Sequence, residues 1–201
     1  STIETCDVHG KMWSSNNKPV VSINTSTLWT QDEPHILSEQ RRKRVQKILD
    51  TRQSPSSKEL VIEYQKTGIA NSHDIRLKLG LDLKKKTVLM CPNVPFDAIF
   101  YMGGKNSFSG MWDWLIKTIQ FFITRQNCQL VIRCHPGEPH YRTKETTETL
   151  IAEHYKSLPD HIIVVPPHAA VNTYSIMQLA DVGVVYASTT GLEMAMSGIP
   201  V

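Results

Sequence analysis

Three hydroxyl side chains in a row, Ser188, Thr189 and Thr190, follow an apolar stretch near the end of the sequence. Hydroxyls in that position cap the start of a helix, and the free backbone N–H groups of its first turn face whatever lies in front of them. Such a helix start attracts anions and suits a phosphate group. Glu193 follows about one turn later. It either accepts hydrogen bonds from sugar hydroxyls or serves as the capping-box acid of the helix.

A second group of candidate residues lies at positions 131–140, which read Val-Ile-Arg-Cys-His-Pro-Gly-Glu-Pro-His. Arg133 and His135 alternate with apolar residues, as at the end of a strand. The imidazole can donate a hydrogen bond to a phosphate, while Arg133 pairs with a carboxylate or orients the loop. Glu138 is a further candidate for substrate binding, and the alternative for His135 is a structural bond to the loop backbone. Because His135, Glu138 and His140 lack the helical spacing of a metal site, we expect no metal here.

Asp7 and His9 are the candidates for a catalytic acid–base pair. The alternative is a structural role, since the segment around them has no pattern that places them at a cleft. Asn93 directly follows an apolar run and is a further candidate for substrate binding. The sequence contains no Asp-x-Asp, which favours a site where N–H groups and cations, rather than a divalent ion, carry the charge of a phosphate.

The composition is that of a folded protein with a weak positive charge. Of 201 residues, 40% are hydrophobic and 20% charged, and the formal net charge is +3. This charge suits an anionic substrate but is too small to indicate nucleic-acid binding. No apolar run reaches the roughly 18 residues of a transmembrane helix. The four cysteines form no Cys-x-x-Cys pair, which favours a reduced, cytoplasmic protein. The basic run at residues 41–44 indicates a solvated helix face or, secondarily, a contact with a membrane surface.

Short apolar runs alternate with helical patterns through the second half of the sequence. Buried strands are predicted at residues 87–91, 128–134, 162–165 and 181–186. Helices are predicted at residues 111–126, 144–157, 173–180 and 189–197. Continuous apolar strands separated by helices predict an α/β fold with a Rossmann-like, doubly wound parallel sheet. Ligands bind beyond the carboxyl ends of the strands in such sheets, which is where Asn93, His135 and Ser188 are expected.

The first half of the sequence is less regular. Its predicted elements are a strand at residues 19–24, a basic helix at 38–52 and short helices at 59–65 and 74–79. We therefore divide the chain into residues 1–70, the end of a preceding domain with its linker, and residues 71–201, the Rossmann-like domain.

The motifs, taken in order, resemble those of bacterial capsule polysaccharide biosynthesis proteins, which are glycosyltransferases of GT-B architecture. The resemblance rests on a strand that ends Arg-x-His-Pro-x-Glu at Arg133, on the Val-Val-Pro-Pro that follows, and on the stretch from Tyr174 to Val201 with its Ser-Thr-Thr-Gly-Leu-Glu turn. It covers about residues 77–201.

The resemblance implies two Rossmann-like domains that face each other across a cleft, the second of which holds a nucleotide-activated sugar of CMP or UDP type. By this likeness His135 and the turn at Ser188 contact the nucleotide phosphate, while Glu193 contacts the ribose or the base. The catalytic base comes from the first, acceptor-side domain, where Asp7 and His9 are the candidates. Because family members continue beyond the final Gly-x-Pro-Val, we expect the fold to be incomplete at the C-terminus and also at the N-terminus.

The resemblance and the absence of Asp-x-Asp together imply a metal-independent transferase that needs no cofactor besides its nucleotide-sugar donor. The acceptor would be a growing surface or capsular polysaccharide. The enzyme would be cytoplasmic, with a peripheral contact at the inner membrane or with the capsule assembly machinery. Two alternatives stay open: a phosphotransferase of similar fold that uses a CDP-linked polyol, and a non-catalytic fragment that binds a nucleotide or a glycan.

Overall fold

The computed structural model describes residues 2–5, 12–15, 38–54, 65, 67–94, 107–141, 144–186 and 188–201. Near the N-terminus, strands β1 (Thr2–Thr5) and β2 (Met12–Ser15) form an antiparallel pair. The sequence patterns did not predict this pair. The predicted strand at residues 19–24 and nearly all of the predicted helix at 59–65 lie outside the described residues.

A second sheet, of four parallel strands, forms the centre of the fold. Its strands are β3 (Lys86–Cys91), β4 (Cys128–Arg133), β5 (Ile162–Val165) and β6 (Val182–Val185). They lie in the order β5-β4-β3-β6, and each neighbouring pair is parallel. The α/β fold with a Rossmann-like parallel sheet is therefore confirmed. The strands are parallel because each apolar run is followed by a helix that returns the chain to the same end of the sheet.

The helices agree with the sequence patterns except at their ends. They are α1 (Glu39–Gln53), α2 (Ser72–Leu79), α3 (Met111–Ile123), α4 (Thr147–His154), α5 (Thr173–Met177) and α6 (Thr189–Met196). A 3₁₀ helix at Glu138–Tyr141 precedes α4. Helix α2 ends at Gly80, whose φ of 64° lies in the left-handed region that glycine adopts without strain. Among the helices in the described ranges, none is both long and apolar enough to cross a bilayer.

Two hydrophobic clusters cover the two faces of the parallel sheet. On one face Leu89 and Val131 pack with residues of α5 and α6, including Ile176 and Met194. On the other face, a second group of strand residues packs against α3 and α4. That group includes Met90, Leu130, Leu115, Ile119 and Ile151. Burial on both faces explains why the strand sequences are continuously apolar rather than alternating.

Helix α3 has more apolar residues than it buries. Met111, Trp114, Leu115, Ile119 and Phe122 form its buried face. Phe121, which fits the same apolar pattern, is 51% exposed, and the guanidinium of Arg125 lies 3.4 Å from its ring centroid. The apolar stripe is wider than the surface that the sheet covers, so its edge residue remains in contact with solvent.

Helix α1 is held through its last turn. None of its residues is buried, but the Asn172 side chain at the start of α5 donates to Gln53 O at 3.2 Å. The short segment that follows is attached to α5 as well, because Gln65 Oε1 accepts from Thr173 N at 2.9 Å and Ser175 Oγ accepts from Ala70 N at 2.9 Å. Residues assigned to the preceding domain and its linker therefore contact the Rossmann-like domain directly.

Candidate functional site

A cavity of about 250 Å³ opens at the carboxyl ends of β3, β4 and β6. Strand β3 lies between β4 and β6, so the chain runs outward from β3 in one direction and then returns to its other side. This change of direction is the topological switch point, where open α/β sheets bind ligands. The structure brings seven of the predicted substrate-binding residues to this cavity, namely Asn93, Arg133, His135, Ser188, Thr189, Thr190 and Glu193.

His135 lies at the rim of the cavity, directly after β4. Its Nδ1 accepts a hydrogen bond from Gly137 N at 3.1 Å, so the tight turn at Pro136 and Gly137 orients the ring. In the neutral imidazole the proton is then on Nε2, which makes that nitrogen a donor. The structure therefore shows the bond to the loop backbone that was one of the two alternatives for His135, and it also places the residue at the cavity.

Arg133 contacts the cavity, but its hydrogen bonds hold the surrounding loops. The side chain is 3% exposed. It donates to Pro166 O at 2.6 Å, to Thr173 Oγ1 at 3.3 Å and to Val171 O at 3.4 Å. Burial lowers the pKa of Arg133 below its ordinary value. Of the two roles considered from the sequence, the geometry matches the one in which Arg133 orients a loop, here the loop between β5 and α5.

Glu138 is the predicted substrate-binding residue of the described ranges that does not line the cavity. It is fully buried, and its Oε1 accepts from Thr147 Oγ1 at 2.6 Å. Thr147 N also donates to the carboxylate, at 3.3 Å. Burial raises the pKa of Glu138, and the hydrogen bonds from Thr147 oppose this shift only in part. The carboxylate thus satisfies the first residue of α4, a stabilising position for negative charge at a helix start.

The start of α6 presents hydroxyl groups to the cavity. Ser188 is the N-cap, and its Oγ accepts from Thr190 N at 3.3 Å. Thr189 is exposed. Gly191, in the first turn of α6, is buried against β6. A Cβ at this position would lie 2.8 Å from Val185 Cγ2, so glycine permits close packing of helix on strand.

Glu193 belongs to a cluster of three side chains inside the cavity. Its Oε2 accepts from the Tyr174 hydroxyl at 2.9 Å, and its Oε1 is in contact with Arg52 Nε. Arg52 also donates from Nη2 to Thr189 Oγ1 at 3.2 Å. Burial alone would lower the pKa of Arg52, but the Glu193 carboxylate and Tyr174 raise it above its ordinary value. Burial, followed by the Glu193 charge, raises the pKa of Tyr174.

Sequence reasoning did not identify Arg52 or Tyr174. Arg52 lies in the last turn of the basic helix α1. Its hydrogen-bond partner in the cavity, Thr189, is 137 residues away in the sequence. A cation at the C-terminal end of a helix is common for reasons of the helix dipole alone. The sequence therefore held no signal that separates Arg52 from the other basic residues of α1.

Two further residues of the cavity lining, Asn93 and Cys91, provide no reactive group. Asn93 is buried, and its Oδ1 accepts from Val94 N at 2.8 Å. Cys91 is buried, and this burial raises the pKa of its thiol to about 12. The thiol therefore stays protonated near neutral pH and is a poor nucleophile.

The described part of the site is richer in donors than in bases. The hydroxyl side chains at the start of α6 and the Arg52 guanidinium line one space, and such donors suit an anion. Within the described lining of the cavity, Glu193 is the one carboxylate, and both of its oxygens have partners. Nor do three or more His, Cys, Asp or Glu side chains of the described ranges form a metal-binding group. Asp7 and His9, the predicted acid–base pair, lie outside the described residues.

Comparisons with protein-family models, with curated proteins and with solved structures found no match to this chain.

Proposed function

We propose that this chain is the donor-binding part of a metal-independent glycosyltransferase of GT-B type, which transfers a sugar from a CMP- or UDP-activated donor to a surface or capsular polysaccharide. One observation carries the proposal: His135 after β4 and the hydroxyl turn at Ser188 before α6 line the same cavity at the switch point of the sheet. They are the two motifs that resemble the capsule polysaccharide family, and they are far apart in the sequence.

The chemistry of the site suits a nucleotide leaving group. When the bond between the sugar and the phosphate breaks, negative charge grows on the phosphate oxygens. The Nε2 proton of His135 and the hydroxyls of Ser188 and Thr189 would meet that charge. Donors placed in advance stabilise the transition state more than the ground state, because the charge is largest there.

Transfer also needs a base that removes a proton from the acceptor hydroxyl. The described cavity offers no carboxylate for this step beyond Glu193, which is bonded to Arg52 and Tyr174. We propose that the base comes from the acceptor side, for which Asp7 and His9 remain the candidates. Reaction in the cytoplasm, with α1 near the inner membrane or the capsule assembly machinery, belongs to the same proposal.

Isothermal titration of the full chain with CMP, CDP and UDP tests the proposal. One of these nucleotides should bind, with equal affinity in EDTA and in magnesium. In His135→Ala the affinity should fall about tenfold to a hundredfold, because a hydrogen bond to a charged group contributes about 1.5–3 kcal/mol. The melting temperature should fall modestly, because the substitution removes the acceptor of Gly137 N but opens no core cavity.

His168→Ala is the matched control. His168 is exposed in the loop after β5, at the same end of the sheet but outside the cavity lining. Its loss should leave nucleotide affinity unchanged. If none of the three nucleotides binds, or if His135→Ala lowers the melting temperature and leaves affinity unaltered, the proposed donor site is wrong. Binding that disappears in EDTA would contradict the metal-independent chemistry.

A further inference from the structure

We infer that Arg52 is an anion-binding residue of this cavity, delivered by the last turn of α1 and held in place by Glu193 and Tyr174. It would contact the charged phosphate groups of the ligand. The inference rests on the proposed function for the identity of that ligand, but the Arg52 geometry and its test stand apart from the nucleotide.

The contacts of Arg52 leave part of its guanidinium for a ligand. A guanidinium carries five N–H donors in a planar fork. Nε contacts Glu193, Nη2 donates to Thr189 Oγ1 at 3.2 Å, and Tyr174 is a further hydrogen-bond partner. The Arg52 side chain is still 38% exposed and lines the cavity. A planar fork with donors to spare is the geometry that binds phosphate in a bidentate way.

Glu193 and Tyr174 act as positioning residues in this arrangement. The Glu193 side chain is only 9% exposed, so its charge needs a paired cation to be tolerated. Arg52 supplies that cation, while the Tyr174 hydroxyl occupies the second carboxylate oxygen at 2.9 Å. The guanidinium is therefore fixed in one orientation before a ligand arrives. This assigns to Glu193 a role different from the sugar, ribose or base contact expected from the sequence.

The contact with Thr189 places Arg52 beside the hydroxyl turn. An anion that accepts from the Thr189 hydroxyl would lie within one hydrogen bond of the guanidinium. His135 lines the same cavity. Donors from three separate parts of the chain, namely the end of α1, the loop after β4 and the start of α6, then surround one space.

The competing interpretation is that Arg52 only attaches α1 to the Rossmann-like domain through an ion pair. The two interpretations differ in what Arg52→Gln changes. A purely structural arginine affects stability and the position of α1, whereas an anion-binding arginine affects the affinity for a charged ligand but not for an uncharged one.

The test measures binding of inorganic pyrophosphate, CMP and the uncharged nucleoside cytidine to the full chain by isothermal titration. Arg52→Gln should weaken pyrophosphate binding tenfold or more and CMP binding similarly, while any cytidine affinity stays unchanged. Arg52→Lys keeps the positive charge but loses the planar guanidinium fork. Its pyrophosphate affinity should therefore lie between that of the unaltered chain and that of Arg52→Gln. Arg44→Gln, an exposed arginine of the same helix, is the matched control and should behave as the unaltered chain.

Each outcome decides the inference. Unchanged pyrophosphate affinity in Arg52→Gln overturns it, even if nucleotides bind, and then the proposed function stands alone. Arg52-dependent pyrophosphate binding in a chain that binds no nucleotide supports the inference and contradicts the proposed donor. Absence of pyrophosphate binding in the unaltered chain overturns it as well. If Arg52→Gln does not fold, Arg52→Lys decides instead: weaker pyrophosphate binding than in the unaltered chain supports the inference, and equal binding overturns it.

Discussion

The two walls of the cavity, the end of β4 and the start of α6, are built from similar residues but in different ways. Each follows a parallel strand, and each brings a glutamate. At the end of β4, Arg133 donates to two carbonyls of the loop before α5 and to Thr173 at the start of that helix. Glu138, which follows β4, is bonded to Thr147. After β6, Glu193 faces the cavity and bonds to Arg52 from a remote helix.

This difference teaches that the position after a strand does not settle the role of a charged side chain. A buried charge needs partners, and the nearest partners decide what it does. Where backbone carbonyls or a helix start satisfy the charge, the residue supports the fold. Where the partner is a second side chain with donors left over, the pair can serve a ligand. The following substitutions are ordered from the largest expected effect to the smallest.

Arg133→Met should cause the largest loss of stability, about 3 kcal/mol or more. It removes three hydrogen bonds from a charged donor, each worth about 1.5–3 kcal/mol, and the values will not add fully. Equilibrium unfolding in urea measures the loss. Arg125→Met, an exposed arginine stacked on Phe121, is the control and should cost less than about 1 kcal/mol. An Arg133→Met chain of normal stability with lost nucleotide affinity would reverse the comparison and make the β4 wall a binding wall.

Gly191→Ala should destabilise the chain by about 1–2 kcal/mol and weaken pyrophosphate binding. The new methyl would meet Val185 Cγ2 at 2.8 Å, and overpacking of this kind costs about 1–3 kcal/mol. The better helix propensity of alanine offsets up to about 1 kcal/mol. Thermal unfolding and titration of the variant measure both effects. Gly68→Ala, which meets no atom within 4 Å, is the control. A Gly191→Ala protein more stable than the unaltered chain would show that α6 moves easily on β6.

Glu138→Gln should weaken the dependence of the free energy of unfolding on pH, without changing the affinity for pyrophosphate. Because burial raises the folded-state pKa of Glu138 above 4.5, the folded chain binds more protons than the unfolded chain in the window that begins near 4.5. Stability therefore falls as pH rises through that window up to the raised pKa. Urea midpoints from pH 4 to 7.5 measure this slope. Glu153→Gln, an exposed change in α4, is the control and should keep this slope. A loss of pyrophosphate affinity in Glu138→Gln would place Glu138 functionally with Glu193.

Asp181→Asn should cause the smallest loss of stability, about 0.5 kcal/mol at neutral pH, with no change in pyrophosphate affinity. Asp181 lies at the amino end of β6, opposite the cavity, where it accepts from Thr87 N at 2.8 Å and from Lys86 Nζ at 2.7 Å. Asparagine keeps an acceptor for the backbone but loses an exposed ion pair, worth about 0–1 kcal/mol.

The pH dependence of this small contribution has a definite sign. The hydrogen bond from Lys86, followed by that from Thr87, lowers the pKa of Asp181 below its ordinary value. The contribution is therefore present above the unfolded pKa of about 3.8 and is lost as pH falls through the lowered folded pKa. Urea unfolding at pH 7 and pH 3 measures it, with the exposed Asp160→Asn as control. Weaker ligand binding in Asp181→Asn would contradict the assignment of this edge to stability alone.

The sequence alone was enough to predict the sheet and the edge of the sheet that carries the cavity. Apolar runs of strand length between helical patterns specify parallel strands, because both faces must be covered. Parallel strands end on the same side, so Asn93, His135 and Ser188 had to meet at one edge once the strands were assigned. The strand order β5-β4-β3-β6 then placed the switch point between their carboxyl ends.

Only the tertiary structure decided which charged side chains face the cavity. Local sequence does not reveal the roles of three charged residues, because each role depends on a partner in another part of the chain. Arg133 is bonded to the loop before α5 and to the start of that helix, Glu138 to Thr147, and Glu193 to Arg52. The Arg52 contact joins the last turn of α1 to the first turn of α6, and no local periodicity encodes it. Local propensity and burial determine secondary structure through near neighbours, whereas pairing of a buried charge depends on which distant element the packing brings within hydrogen-bond distance.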